Sequence, residues 1–278
     1  MSSIAERYNR SADAYLGWWG PILEPTALGV LDLVSSSIPG DGTGVRLLDI
    51  GTGTGTLAIA AAERWTAAQI TGVDGSTGML AVARREARRR LGRPGERLDF
   101  VAGLADRMPF ADASFDVAVS SFVLQLVPHR PRALGEALRV LRPGGVLAFV
   151  TWLASDAPFA PDEAFADVLD ELGIADPDEP EEARAGDFAS VAAAAAQIRR
   201  AGFREVSARE QLLVHRYEPA TYLDFLEHYA ERTTFAGLDE ATARDVRAWT
   251  AERLARLEPD AFVWRAPVVS VRARHPAG

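Results

Sequence analysis

The chain predicts an α/β protein built on a mostly parallel sheet wound on both faces by helices, and three observations carry that expectation. The first is LLDIGTGTGTLA at residues 47–58, an apolar run that ends in an acid, followed by Gly51, Gly53 and Gly55 and then an alanine-rich segment. A strand buried on both faces reads as continuous Leu, Ile and Val rather than as an alternation, and the glycines mark a sharp turn into a helix. The second is TGVDGSTGML at residues 71–80, another short strand that ends at Asp74 before a helical segment. The third is the regular exchange of strand and helix patterns between residues 45 and 151, the mark of parallel strands joined by crossover helices.

Each element follows from local pattern. Ile4 to Leu16 and Ile22 to Ser36 have helical apolar spacing and are expected as two helices, separated by Gly17 and the Gly20-Pro21 breaker. Strands are predicted at 45–50, 69–74, 97–101, 115–120 and 146–151, with helices at 54–65, 76–91 and 131–141. Arg142-Pro143-Gly144-Gly145 supplies the turn before the fifth strand. The stretch 156–187 is dense in acids and interrupted by Pro158, Pro161, Pro177 and Pro180, so it reads as a solvated connector broken into loops. Phe188 to Ala201 is an alanine-rich helix stopped at Gly202, Val206 to Val214 alternates like a strand, and a second strand-like run spans Phe262 to Val271. The chain therefore divides into an N-terminal helical cap segment (1–40), a core (41–155), the acidic connector (156–187) and a remainder (188–278) that holds a helical stretch near 219–257.

Composition narrows the function classes. With 278 residues, 48% of them apolar, the chain can bury one large domain, or one domain and a small cap. No run approaches the roughly 18 apolar residues that cross a bilayer, and MSSIAERYNRSADAY carries acids where a signal peptide would be basic and then apolar. A cytoplasmic location and no membrane span are expected. There is no cysteine, hence no disulfide framework or thiolate site, and His129, His215, His228 and His275 lack metal-ligand spacing, so no metal is expected. A net charge of −9 argues against a nucleic-acid partner, and the cluster Arg84 to Arg90 reads as one exposed helix face.

The glycine turn is a nucleotide cradle, because bare backbone leaves no side chains between the turn and a ligand. A dinucleotide site has G-x-G-x-x-G with the pyrophosphate on the helix dipole, whereas here the third glycine arrives one residue early and Thr56 stands in its place. The diphosphate reading is weakened accordingly, while Asp74 is positioned to accept hydrogen bonds from a ribose. In order along the chain, LLDIGTGTG, GVDGSTGML, FDVAVSSFVLQLV and LRVLRPGGVLAFVTW resemble the motifs of class I S-adenosylmethionine (SAM)-dependent methyltransferases. The likeness is to the small-molecule branch that includes ubiquinone and menaquinone biosynthesis enzymes, and it fades beyond Trp152. It implies a Rossmann-like, doubly wound, seven-stranded sheet, closed by an antiparallel hairpin from the last two strands, with a helical cap in which 219–257 is a lid.

The resemblance also implies roles. Gly51, Thr52, Gly53 and Gly55 would lie beside the methionine part of SAM, and Asp49 would position its ammonium or hold the loop, with loop packing alone left open. Asp74 would bind the ribose, and Gly75 and Met79 would pack on adenine, Met79 being alternatively core. Where the family carries an Asp after the third strand, this chain has Gly103-Leu104-Ala105-Asp106; adenine is then read by the backbone of Leu104 or Ala105, or by Asp106 reaching back, and we take the backbone reading. Ser120, ending the fourth strand, either contacts the cofactor or merely fills a small space. Tyr8 and Tyr15 in YNRSADAYLGWWG would fold over the cofactor, where an aromatic face suits a sulfonium. Trp18, Trp19, Phe122, Tyr222 and Tyr229 are candidates for an acceptor pocket, with helix packing or core packing as their alternatives.

No catalytic dyad stands out, and the energetics do not demand one. Orientation of reactants supplies about 7–11 kcal/mol, against about 10²–10⁴-fold from a general base. His129, Tyr15 and His228 are the candidates for proton transfer, His129 being alternatively a surface residue. The expected activity is methyl transfer from SAM to a small apolar or aromatic acceptor, with the oligomeric state open. Two alternatives stand beside it: a SAM-binding regulatory protein without transfer activity, and an NAD(P)-dependent oxidoreductase, which the glycine spacing disfavours. DNA amino-methylation is disfavoured by Ser120-Ser121-Phe122-Val123 where an Asn/Asp-Pro-Pro-aromatic segment would be expected.

Overall fold

The computed structural model describes residues 3–92, 97–175 and 184–277. Seven strands form one sheet: β1 (Arg46–Ile50), β2 (Gln69–Asp74), β3 (Leu98–Ala102), β4 (Phe115–Ser121), β5 (Leu141–Trp152), β6 (Arg204–Arg216) and β7 (Val263–Arg274). Their spatial order is β3-β2-β1-β4-β5-β7-β6, all parallel except β7, which runs antiparallel to both neighbours. The expected mixed sheet with its terminal hairpin is the architecture observed.

Side-chain alternation explains why the central strands are apolar throughout. In β1, Leu47 joins one core and Leu48 the other; in β5, Val146, Ala148 and Val150 face the first core while Leu147 and Phe149 face the second. The first core is packed by α2 (Gly20–Val34) and α3 (Thr56–Arg64), the second by α5 (Arg130–Val140) and α7 (Val191–Arg200). Strand order reverses between β1 and β4, and at such a switch point the loops at the carboxyl ends of the strands part and leave a crevice.

Three elements differ from expectation. The N-terminal helices are not separated by a break: α1 (Ser3–Ala14) runs through a π-helical turn at Tyr15–Trp19 into α2, with the Gly20 N–H donating to Tyr15 O. Pro21, at the start of α2, has no N–H to donate, and the wide turn takes up the irregularity without ending the helix. The predicted turn Arg142–Gly145 lies inside β5, where the register with β4 jumps from Phe115↔Leu141 to Val117↔Val146, so the Pro-Gly-Gly residues form a bulge.

The third difference concerns the acidic stretch, which contains α6 (Ala160–Glu171) rather than loops throughout; Pro177 and Pro180 lie outside the described residues. Pro161 sits in the first turn of α6, where a missing N–H costs nothing, Asp162 and Glu163 favour the positive helix end, and Phe165, Val168 and Leu169 bury one face. The acids that suggested a solvated connector thus decorate an amphipathic helix. It packs beside α8 (Pro219–Phe225), α9 (Arg232–Ala236) and α10 (Glu240–Leu254), the helices between β6 and β7. Phe165 stacks on Phe235, the Tyr222 hydroxyl donates to Asp162, and Arg253 bridges Asp167 and Glu171. No helix among the described residues is long and apolar enough to cross a membrane.

Candidate functional site

The turn after β1 is fastened to its neighbours through its backbone. Gly51 N–H and Thr52 N–H both donate to Val73 O, at 2.8 and 3.0 Å, and Gly53 N–H donates to the Asp74 carboxylate at 2.8 Å. Gly51, Gly53 and Gly55 all have left-handed φ, at 69°, 54° and 88°. A side chain at Gly51 would be driven into that of Val123, whereas at Gly53 it would stand in open space. Gly51 and Gly53 border a cavity of about 280 Å³.

Its floor is Gly51, Gly53 and the strand ends, with Asp74, Gly75, Met79, Gly103, Leu104 and Ala105 on its walls. The α1 residues Ile4, Ala5 and Tyr8 roof it. Asn9 fastens that roof: its side-chain oxygen accepts from Ser76 Oγ at 2.7 Å and from Gly78 N–H at 2.8 Å, while Ser76 Oγ caps α4 (Thr77–Leu91) by accepting from Met79 N–H. Gly78 has no side chain because the backbone of Asn9 occupies that position. The charged lining residues are Asp74 and Asp106, so the cavity is acidic. Burial pushes the Asp74 carboxyl up from the ordinary range, against hydrogen bonds from Ser76, Gly53 and Gly75 N–H that favour its ionised form.

A second cavity of about 430 Å³ adjoins the first. Tyr8, Tyr15, Phe122 and Leu126 line both, so the two meet at this aromatic junction. Phe122 is held there at φ 53°, unusual for a bulky residue, by its N–H to Val150 O and by Gln125 Nε2, which donates to its carbonyl. Behind it Trp19, Trp152 and Trp264 form a mutually contacting triangle with ring centroids 5.6–6.4 Å apart, and Phe122 lies 4.5 Å from Trp152. Burial, with Tyr8, Tyr229 and Asp74 nearby, pushes the Tyr15 phenol well above its usual value, so it is a proton donor and not a base near neutrality.

Several residues singled out from the sequence lie elsewhere. Asp49 is 1% exposed, accepts from Thr52 Oγ1 at 2.6 Å, and lines neither large cavity; burial raises its carboxyl to about 7. It braces the loop from beneath. Thr52, turned towards Asp49, reaches only a small recess of about 30 Å³ beside the loop. Gly55 packs against Ala83, Ile59 and Phe100 at the start of α3 and serves the turn alone. Ser120 is 2% exposed and donates to Ile50 O, while the next residue, Ser121, points into the first cavity because successive strand side chains alternate.

The lid candidates are corrected likewise. Tyr222 is 1% exposed and spends its hydroxyl on Asp162, which makes it a strut between α6 and α8. Tyr229 stands behind Tyr15 and Trp19 and lines neither cavity, and Trp18 stacks on the exposed His228. His228 Nδ1 pairs with Asp224 O in its own helix, and His129 is an exposed residue at the N-terminus of α5; neither reaches a cavity. Leu104 and Asp106, the alternatives for adenine, both stand on the first cavity's wall. Trp152, Trp264, Gln125 and Arg7 line the second cavity and were not among the candidates; Gln125 and Trp152 lie within the FDVAVSSFVLQLV and LRVLRPGGVLAFVTW segments, whereas Arg7 and Trp264 lie outside the motif segments.

Residues 48–149 match the family model described as a methyltransferase domain. A malonyl-[acyl-carrier protein] O-methyltransferase of Geobacter sulfurreducens is 45% identical over 104 residues, 37% of each chain. The ubiquinone/menaquinone biosynthesis C-methyltransferase UbiE of Methylobacterium nodulans is 39% identical over 127 residues, 45% of this chain and 49% of the relative. The chain thus spans half or less of the length of these two curated relatives. Among solved structures, the [4+2]-cyclase SpnF superposes with a TM-score of 0.53 and 27% identity, covering 89% of this chain and 80% of that one.

Proposed function

We propose that the chain transfers a methyl group from SAM, held in the acidic cavity, to a planar aromatic small molecule in the adjoining one; the match of residues 48–149 to a methyltransferase domain supports this reading. The observation that carries the reading is the junction at Tyr15 and Phe122, where a cavity of bare glycine backbone and acids opens onto a cavity walled by indoles. The residues suit a cationic nucleoside: Gly53 offers backbone to the amino-acid part, the Asp74 carboxylate retains acceptor capacity for ribose hydroxyls, and Leu104 and Met79 give apolar faces to a base. When bound, SAM supplies an activated methyl on a sulfonium.

The chain's own work is orientation. Tyr8 and Tyr15, with centroids 6.0 Å apart in an edge-to-face pair, present aromatic surface to positive charge and exclude water from the junction. The strained Phe122 and the indole triangle set the plane of the acceptor, so that its nucleophilic atom faces the first cavity. The protonated Tyr15 hydroxyl is available to hold an acceptor oxygen or to steady the sulfonium end, but not to remove a proton.

Isothermal titration with SAM and with S-adenosylhomocysteine tests the donor site, and absence of heat for both at millimolar ligand defeats it. Mass-spectrometric detection of methylated products from an aromatic acceptor panel tests transfer. SpnF, named a [4+2]-cyclase, superposes on this chain, so the architecture alone does not entail methyl transfer, and a SAM-binding protein without transfer activity is the second reading. Tight homocysteine-form binding with no product from any acceptor favours it.

A further inference from the structure

The donor cavity does not end at the glycine loop. Tyr15, Gly51, Gly53, Ser121 and Phe122 line both that cavity and the small recess of about 30 Å³ beside the loop, so the two adjoin there. One face of α2 closes the recess, with Gly20, Leu23, Glu24 and Ala27 at three- and four-residue spacing. Glu24 is the charged residue in the lining. Opposite in sign, Thr56 and Leu57 bring the positive end of the α3 dipole, and Gly55 at the N-cap adds no side chain to it. Thr54 also lines the recess; it is 4% exposed, and its hydroxyl has no hydrogen-bond partner among the described residues. Arg90 is bonded twice to Glu63, at 3.0 and 2.6 Å, and stands 3.9 Å from Glu24, whose carboxylate has about four acceptor sites and so keeps capacity for a second cation. An isolated anion would be repelled by Glu24 and an isolated cation by the helix end, whereas a zwitterion satisfies both. The size agrees, since about 30 Å³ admits roughly two water-sized groups, as an ammonium and a carboxylate are.

We infer that the recess seats the amino-acid head of the methyl donor, its ammonium at Glu24 and its carboxylate at the first turn of α3 beside the Thr54 hydroxyl. The inference rests on reading the acidic cavity as the SAM site, and it gives the ammonium a counter-ion on α2 where the sequence suggested Asp49. Asp49 does not reach the head, because it lies beneath the loop and is bonded to Thr52. Base and ribose keep to the larger cavity with Leu104 and Asp74. The sulfur then falls between head and ribose, at Tyr15 and Phe122, the two residues that line the recess, the donor cavity and the aromatic cavity alike. A head anchored on α2 therefore fixes which way the donor enters the loop.

Four nucleosides test this by isothermal titration of the full chain: S-adenosylhomocysteine, its deamino analogue, its decarboxy analogue, and methylthioadenosine, which lacks the head altogether. Each of the two truncated analogues should bind about fivefold more weakly than S-adenosylhomocysteine, the scale of a charged hydrogen bond to a group still partly in solvent, the Glu24 side chain being 42% exposed. In Glu24→Gln the deamino penalty should fall to about twofold or less, while the decarboxy penalty and the affinity for methylthioadenosine hold. Should that variant fail to fold, the wild type decides: raising salt from about 0.01 M to about 0.5 M should narrow the deamino penalty and leave methylthioadenosine unchanged. Equal binding of S-adenosylhomocysteine and either truncated analogue, a deamino penalty that survives Glu24→Gln, or one indifferent to salt each overturns the proposal. If methylthioadenosine still binds beside such a failure, the donor cavity stands and only the recess is removed. Failure of all four nucleosides to bind at millimolar concentration removes the donor reading and this inference together.

Discussion

The two cavities are built by opposite strategies. The acidic one is made of backbone: glycines at the carboxyl ends of β1, β2 and β3 and two hydrogen bonds that lock the loop over Val73. The aromatic one is made of side chains borrowed from distant places, Arg7 and Trp19 before the sheet, Phe122 after β4, Trp152 at the end of β5, and Trp264 in β7. A site formed from backbone tolerates little change, because a backbone has no rotamers to yield; a site formed from side chains can be repacked without unfolding the sheet. Within one fold, the donor side is therefore the rigid part and the acceptor side the adjustable one.

The sharpest way to break that contrast is Gly51→Ala. A left-handed conformation costs an L-residue roughly 1–2 kcal/mol, and forcing the new carbon against Val123 adds about 1–3 kcal/mol, so a stability loss of roughly 2–5 kcal/mol is expected in urea unfolding. Val123 itself lines the donor cavity, and its displacement should cut S-adenosylhomocysteine affinity as well. Adding Val123→Ala removes the two nearest contacts but keeps the Cβ at 2.9 Å, so it should restore part of the packing share of the loss and none of the conformational share. A Gly51→Ala protein as stable as the wild type, with full affinity, shows that the loop is not the rigid floor described.

Asp74→Ala asks the same question of a side chain within the backbone-built cavity. Loss of a charged hydrogen-bonding group should weaken SAM by about 1.5–3 kcal/mol in titration, and the near-ultraviolet circular dichroism of the indoles around the second cavity should not change. If the indole signal changes as well, the substitution has loosened the loop through Gly53 and Ser76 rather than only removed a ribose contact.

The same contrast explains what was legible in the sequence. The sheet and the glycine turn were readable because a strand buried on both faces must be apolar, and a left-handed turn against Val73 must be glycine. For Asp49 two roles stayed open, because a strand-end acid looks the same whether it faces a ligand or supports the loop; its bond to Thr52 is a matter of side-chain direction. Trp152 and Trp264 could not have been paired, since they meet only through the β5–β7 register, in which Trp152 lies opposite Val268. Helix α6 was hidden for another reason. Its acids and proline resemble a linker until Phe165, Val168 and Leu169 are seen to share one face.

The smallest expected effects separate two neighbouring serines. Ser120 Oγ donates to Ile50 O between β4 and β1, so Ser120→Ala should leave that carbonyl short of a partner, cost about 1 kcal/mol of stability and leave donor affinity unchanged. Ser121 is turned the other way, into the cavity near Gly51, so Ser121→Ala should leave stability within about 0.5 kcal/mol and alter S-adenosylhomocysteine binding instead. The pair works as a control on the geometry because the residues are chemically identical and adjacent, and only the pleat of the strand distinguishes them. An exchange of the two effects would mean that β4 is displaced by one residue against β1. The Leu47↔Val117 register would then fail, and with it the alignment that brings Phe122 to the junction of the cavities.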